Sequence, residues 1–303
     1  MSAATDPLGA AATWESLLGI RGAAQAVAAG LRSDGDTGGP DGPGTAGHPP
    51  RALSPAAAEL AERYLPLCLA GPRVVFAQLG QSLDGFIATR TGDADYVTGE
   101  EDRRHLHRLR ALADAVLVGA GTAVADDPRL TVRACAGPDP VRVVLDPRGR
   151  VPRTRRVFTD GAAPTLWVVG PGVVPERVGD GVEVLALPDR DAFAPGRLRA
   201  ALAARGLGRV LVEGGGVTVS RFLRAGALDR LYLTVAPVLL GDGVPGLRFP
   251  GTPVMRRALR PPVRRTVLGE DTLFELELRA PGGGPDVADT PQGLSDPDPS
   301  DTP

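Results

Sequence analysis

Three segments bring together residue types that could do chemistry. QSLDGFIA (81–88) places Asp84-Gly85 directly after an apolar run. Asp-Gly is a turn signal, and a hairpin turn is its plainest meaning. VGAGTAVADDPRLTVR (118–133) follows a second apolar run with Gly119 and Gly121, where a backbone can approach a ligand closely. Asp126-Asp127-Pro128 then forms a sharp turn, and Arg129 and Arg133 follow. The segment is an imperfect dinucleotide fingerprint. Thr122-Ala123-Val124 stands where the third glycine should be, and Asp146 stands where a ribose-binding acid would be. It also reads as an Asx turn with solvated arginines. LVEGGGVTVSRFLRAG (211–226) puts Glu213 and three glycines between a strand and a helix. Helix N-termini present free N–H groups, and glycine lets a pyrophosphate touch the backbone. The same stretch could be a tight turn with no ligand. Glu213, at the carboxyl end of a strand, is where open α/β sheets bind ligands.

Composition narrows the chemistry. All 34 basic residues of the 303 are Arg, so mechanisms that need a lysine, the P-loop included, are excluded. Net charge is −2, which gives no general attraction to nucleic acid or membranes. No apolar run reaches 18 residues, and the first residues lack the pattern of a secretion signal. Cys68 and Cys135 do not form a close pair, and with three histidines they cannot build a Cys-rich zinc site. No metal is expected. A reduced, cytoplasmic protein is expected, with both cysteines as small buried groups. His105 and His107 are two apart on a helical stretch and face different ways, so surface positions are expected. Arg103, Arg104, Arg108 and Arg110 share that stretch as a largely solvated face, with one reaching a ligand phosphate.

The positioning elements follow from periodicity. Residues 1–70 are expected to be an N-terminal extension. It holds helical stretches at 13–31 and 54–69 and a flexible linker at 32–50. Ser54-Pro55 should start the second helix, and Pro66 should end or kink it. From 71 to 280, β-branched runs alternate with helical patterns at 100–113, 197–206 and 216–226. The runs lie at 73–79, 115–119, 141–146, 165–170, 182–187, 209–214, 231–240 and 272–280. This alternation predicts an α/β domain with a largely parallel sheet. No helical pattern separates the last two runs, so an antiparallel edge is expected. Residues 281–303 carry five Asp and no basic residue, and are expected to be a disordered acidic tail. The rest then carries +3, which suits an anionic ligand.

Five segments together carry a resemblance: GQSLDG (80–85), TAVADDPRLTVR (122–133), VRVVLDPRGRVP (141–152), VEGGGVTVSRFL (212–223) and APVLLG (236–241). In order and spacing over 73–280 they resemble the C-terminal reductase domain of bacterial bifunctional riboflavin-pathway deaminase-reductases. The resemblance implies a dihydrofolate-reductase-like fold and a homodimeric, NADPH-dependent enzyme. It would reduce the ribosyl group of 5-amino-6-(5-phosphoribosylamino)uracil to ribityl, by hydride transfer to C1′. It places Gly80, Thr122 and Asp126 at the cofactor, with Tyr96 where the family has an aromatic residue over it. Gly215, Gly216, Val217, Thr218, Val219, Ser220 and Arg221 match the pyrophosphate-binding turn. Arg110, Leu130, Arg133 and Glu213 match substrate positions. Asp126 and Glu213 are the candidate catalytic residues, and Arg148 or Arg150 is a candidate for the 2′-phosphate of NADPH.

Three departures stand against the resemblance. The deaminase motifs H-x-E and P-C-x-x-C do not occur, so a separate deaminase is the expected pathway partner. Gln78 stands where the family often has Lys, and Ala94 replaces a substrate-contacting serine. These changes leave two alternatives open: another substrate, such as dihydrofolate, or a catalytically decayed nucleotide-binding module.

Overall fold

The computed structural model describes residues 9–20, 53–95, 97–173 and 178–279. The expected linker at 32–50, residues 21–31 of the first helical stretch and the expected tail at 281–303 lie outside the described residues. Among the described residues two helices come first, α1 (Ala10–Gly19) and α2 (Pro55–Leu69). The Ser54 hydroxyl accepts from the Ala57 N–H at 3.2 Å, with Pro55 at the first position, so the start signal operates as read. Pro66 does not end α2, which continues to Leu69. Pro66 lacks the N–H that would serve the Glu62 carbonyl, and Arg264 donates to that carbonyl instead, at 2.5 Å. A tertiary contact thus replaces the missing helical bond.

The sheet strands are β1 (Val74–Ser82), β3 (Ala115–Gly119), β4 (Val141–Asp146), β5 (Thr165–Val169), β6 (Val182–Ala186), β7 (Arg209–Val212), β8 (Arg230–Ala236), β10 (Val263–Leu268) and β11 (Asp271–Glu277). They lie in the order β10-β11-β8-β1-β7-β3-β4-β5-β6. The seven from β8 to β6 are mutually parallel, and β11 and β10 close one edge antiparallel. The expected fold class, a largely parallel sheet with an antiparallel edge, is what the chain forms. A separate ribbon pairs β2 (Phe86–Thr89) with β9 (Gly243–Pro245). The sequence reading contained neither ribbon strand nor β10. The ribbon strands are short, and β10 is an edge strand carrying Arg264 and Arg265 in place of an apolar run.

Side-chain alternation assigns the two faces. Phe76 and Leu211 pack with α1, α2 and α3 (Glu100–Ala111). Val75, Ala77, Val210 and Val212 pack on the other face with α6 (Pro195–Ala203) and α7 (Gly216–Arg224). The short helices α4 (Ala120–Ala125) and α5 (Arg156–Thr159) follow β3 and β4. Counting by two from Phe76 and Leu211 puts Gln78, Gly80 and Glu213 on the α3 face at the carboxyl ends of β1 and β7.

His105 and His107 are both buried, against the surface positions expected of them. The flanking arginines suggested solvent, but α2 and the 131–139 loop cover this helix. The His105 Nδ1 meets the Tyr64 hydroxyl at 2.8 Å, and the His107 Nδ1 accepts from the Arg133 N–H at 2.9 Å. Burial, reinforced by neighbouring arginines, pushes His105 down to about 3 and His107 down to about 4. Both are neutral when folded, whereas an unfolded chain protonates them near pH 6.5. Their stabilisation is therefore complete above that pH and is lost as pH falls toward the folded values. The His105 contribution approaches about 1.4 kcal/mol per pH unit within that window. Thermal melts from pH 7 to 4.5 should show a steep fall in Tm that His105→Gln flattens. Parallel profiles for the two proteins would contradict this assignment.

Candidate active site

The carboxyl ends of β1, β3, β4 and β7 open into a cleft of ≈ 820 Å³. This is where parallel sheets bind ligands, and the size is that of a small-molecule site. Among the expected residues, Gly80, Arg110, Thr122, Asp126, Leu130, Glu213, Gly215, Val217, Thr218 and Arg221 line it. Gly216, Val219 and Ser220 do not. Val219 and Ser220 are buried toward the protein, where the Ser220 hydroxyl accepts from the Arg248 N–H at 2.7 Å. Gly216 lies so close to the Gly246 carbonyl that a Cβ there would overlap it. Tyr96 lies outside the described residues.

On the α3 side of the cleft is a buried ion pair. The Arg110 Nε donates to Glu213 Oε1 at 2.8 Å, its Nη2 donates to Oε2 at 2.7 Å, and its Nη1 donates to the Thr131 carbonyl at 3.1 Å. Bidentate geometry of this kind fixes both side chains. The sequence reading placed both residues at the substrate; the fold also pairs them with each other. The Arg133 Nη1 donates to the Thr131 hydroxyl at 2.6 Å, so both guanidinium groups converge on one residue. Arg133 itself stands beside the cleft wall. Arg110, Arg129 and Arg156 lie near enough to make its protonated form harder to hold, after desolvation.

The loop carrying these groups is held in an uncommon shape. Asp127 and Leu130 have φ of 41° and 56°, a region that bulky residues rarely enter. The Asp127 carboxylate accepts from the Arg156 N–H at 2.7 Å, and Asp139 accepts from the Val132 N–H at 2.5 Å. These bonds balance the strain. Asp126, at the C-cap of α4, faces the cleft, and no described donor reaches its carboxylate. Partial burial pushes its carboxyl above the usual range.

Where the chain passes from β7 into α7, the Thr122 hydroxyl accepts from the Gly215 N–H at 2.9 Å. Gly214, at φ +96°, packs against that threonine, and a Cβ there would lie 2.6 Å from Thr122 Oγ1. Nothing lies within 4 Å of where a Gly121 Cβ would be, and only Thr122 Oγ1, at 3.5 Å, comes near a Gly215 Cβ. The glycine turn and the first turn of α7 therefore form an open cradle at the helix N-terminus, lined on the cleft side by Gly215, Val217 and Thr218. It fits a dinucleotide pyrophosphate by shape and dipole.

Asp146 is not a ribose-binding acid. It is fully buried and accepts from the Arg150 and Val151 N–H groups and from the Trp167 Nε1, so it caps its own loop. The Asp84 turn also has a structural duty. The Asp84 carboxylate accepts from Leu240 and Gly241 N–H and from the Ser82 hydroxyl, and these bonds hold it below the usual carboxylate range. Asp102 is the residue that sequence reading missed. It is buried on the cleft wall, accepting from Thr234 Oγ1 at 2.6 Å and from Gln78 Nε2 at 3.2 Å. Burial pushes its carboxyl up. The signal was present: 102, 106 and 110 form an i, i+4, i+8 stripe on α3, and all three line the cleft.

This geometry can be set beside known proteins. The family described as RibD C-terminal domain matches residues 73–266. The 2,5-diamino-6-ribosylamino-4(3H)-pyrimidinone 5′-phosphate reductase of Methanothermobacter thermautotrophicus is 36% identical over 214 residues, covering 68% of this chain and 98% of that protein. The riboflavin biosynthesis protein RibD of Bacillus amyloliquefaciens is 38% identical over 198 residues, covering 62% of this chain and 52% of that protein. The match to RibD thus spans about half of that protein's length. A solved diaminohydroxyphosphoribosylaminopyrimidine deaminase/5-amino-6-(5-phosphoribosylamino)uracil reductase from Thermotoga maritima aligns with a TM-score of 0.59 at 26% identity, covering 75% of this chain and 64% of that one. In sequence and in fold, this chain belongs to the RibD C-terminal domain family, the dihydrofolate-reductase-like reductases of riboflavin biosynthesis.

Proposed function

We propose that the chain is an NADPH-dependent reductase of a phosphoribosylamino-pyrimidine, yielding the ribitylamino product. The observation that carries this reading is one cleft with two chemically distinct sides. A glycine-lined cradle at Gly215 and the start of α7 opens into the same cleft as the buried Arg110–Glu213 pair and Asp126. A bound reduced nicotinamide supplies the hydride that adds at the sugar's C1′. The cradle and Arg221 hold its pyrophosphate. Arg110 orients Glu213 through its two hydrogen bonds, and Glu213 accepts from pyrimidine N–H groups. Arg133 meets the 5′-phosphate at the cleft mouth. Asp126, whose partial burial favours the protonated form, is the proton donor to the sugar oxygen as the ring opens. Asp102 fixes the Gln78 amide where the family often has a lysine.

For the 2′-phosphate, Arg150 is favoured over Arg148, because Arg150 lines the cleft beside Pro147 and Phe193. Arg150→Ala should weaken NADPH about tenfold or more while leaving NADH unchanged, and Arg148→Ala should alter neither. Equal losses for both nucleotides in a titration would remove Arg150 from that role. Two pyrimidines compete as substrate. The expected 5-amino-6-(5-phosphoribosylamino)uracil has already been deaminated. The end-to-end similarity to the Methanothermobacter enzyme favours the 2,5-diamino compound named for that protein. Parallel turnover of the two decides, and a separate deaminase then acts before or after this step. A homodimer is part of the proposal. Leu83, Val238, Leu239, Val244 and Phe249 are exposed, and Leu83 and Val238 are joined by a backbone hydrogen bond, leaving an apolar surface beside the site.

A further inference from the structure

The helices α1 and α2 precede the 73–266 region that defines the family, and nothing above gives them a role. They pack on the face of α3 opposite the cleft. Trp14, Leu17, Ile20, Tyr64 and Leu67 share one core with Leu109 and Leu112. The Arg108 guanidinium stands 5.6 Å from the Trp14 ring centroid and 5.8 Å from that of Tyr64. Tyr64 also reaches His105 on α3. A second set of contacts leads to the substrate loop. The Trp14 Nε1 donates to the Ala136 carbonyl at 2.7 Å. Gly137 sits so tightly against α3 and α1 that a Cβ there would lie 2.5 Å from Ala111 Cβ and 3.4 Å from Leu18 Cδ2.

Trp14 therefore touches both elements that carry the substrate-side arginines. Helix α3 carries Arg110. The loop that Trp14 holds at Ala136 carries Arg133, whose N–H is itself tied to His107 of α3. Both arginines end on Thr131. We infer that Trp14 is a positioning residue. Through α3 and the 131–139 loop, the N-terminal helix pair sets the distance between Arg110 and Arg133, and so tunes affinity for the phosphorylated substrate without touching it. Placement errors of about an ångström, made far from the chemistry, are enough to change function measurably. The inference rests on the proposed substrate side, and its test separates the two.

The full chain is compared with Trp14→Phe, which keeps the ring over Arg108 but loses the N–H, with Trp14→Leu, which loses both, and with Gly137→Ala, which wedges the loop from the other side. Steady-state rates on the phosphoribosyl pyrimidine, a ribose 5-phosphate inhibition constant and amide exchange across 131–139 are measured for each. The substrate KM and the inhibition constant should rise about fivefold in Trp14→Phe and about tenfold in the other two. Meanwhile kcat and the NADPH KM should stay within about twofold, and exchange across the loop should quicken. Unchanged substrate KM in variants that remain folded overturns the inference and leaves the proposed function standing. A common fall in kcat, NADPH affinity and Tm overturns it as well, because it marks a structural role only. A wild-type protein that neither turns over the pyrimidine nor binds ribose 5-phosphate overturns the proposed substrate, and this inference with it.

Discussion

Arg110→Ala should cost about 3–5 kcal/mol of unfolding free energy and silence turnover. The loss follows from burial on both sides. Glu213 and Arg110 are each less than a tenth exposed, and removing the guanidinium strands a carboxylate in the protein interior. That carboxylate would also lose the two hydrogen bonds that hold its orientation. The paired variant Arg110→Met with Glu213→Leu isolates the cause. Replacing both charges with apolar groups of similar volume should restore most of the stability, since buried pairs gain little over a packed apolar substitute. Activity should stay lost. Denaturant unfolding of the two single variants and the double variant measures this. If Arg110→Ala were as stable as the parent, solvent would have to reach the pair, and the cleft wall described above would be wrong.

Asp126→Asn should lower kcat by about 10²–10⁴ with NADPH affinity nearly intact. The carboxylate has no described donor, and burial favours its protonated form. Such a group gives up a proton readily to a developing alkoxide. The sign of the pH dependence follows. Asp126 acts as an acid only while protonated, so kcat should fall as pH rises through its raised pKa. The asparagine variant, already slow, should lack that limb. A pH–rate profile of unchanged shape in Asp126→Asn would move the proton donor elsewhere, with Asp102 the next residue to test.

How far the chain could be read in advance depends on where each residue's environment comes from. The parallel strands were legible because strands buried on both faces must be apolar at consecutive positions, as VLV in β7 and VVL in β4 are. The Ser54-Pro55 start was legible because it is local. Pro66 was not, because the donor that rescues its helix comes from Arg264, nearly 200 positions away in sequence. His105 and His107 misled for the same reason: their neighbours in sequence are arginines, but their neighbours in space are Tyr64 and the 131–139 loop. In the cleft, the glycine turn and Glu213 were visible as strand-end residues, and Asp126 as part of the Asp126-Asp127-Pro128 turn. That Arg110 is committed to Glu213 depends on the parity of β7 against the face of α3. Asp102 was hidden because an acidic residue in the first turn of a helix ordinarily needs no further explanation.

The central claim is that this cleft reduces the sugar of a phosphoribosylamino-pyrimidine. Its most direct measurement is NADPH consumption by the full chain on the diamino and the deaminated pyrimidine, with the products weighed by mass spectrometry. The account predicts oxidation of one NADPH for each pyrimidine consumed, a product heavier by two hydrogens with its base unchanged, and loss of both signals in Asp126→Asn. Binding of NADPH with no oxidation on either pyrimidine would contradict it, and would leave a nucleotide-binding fold whose substrate lies elsewhere.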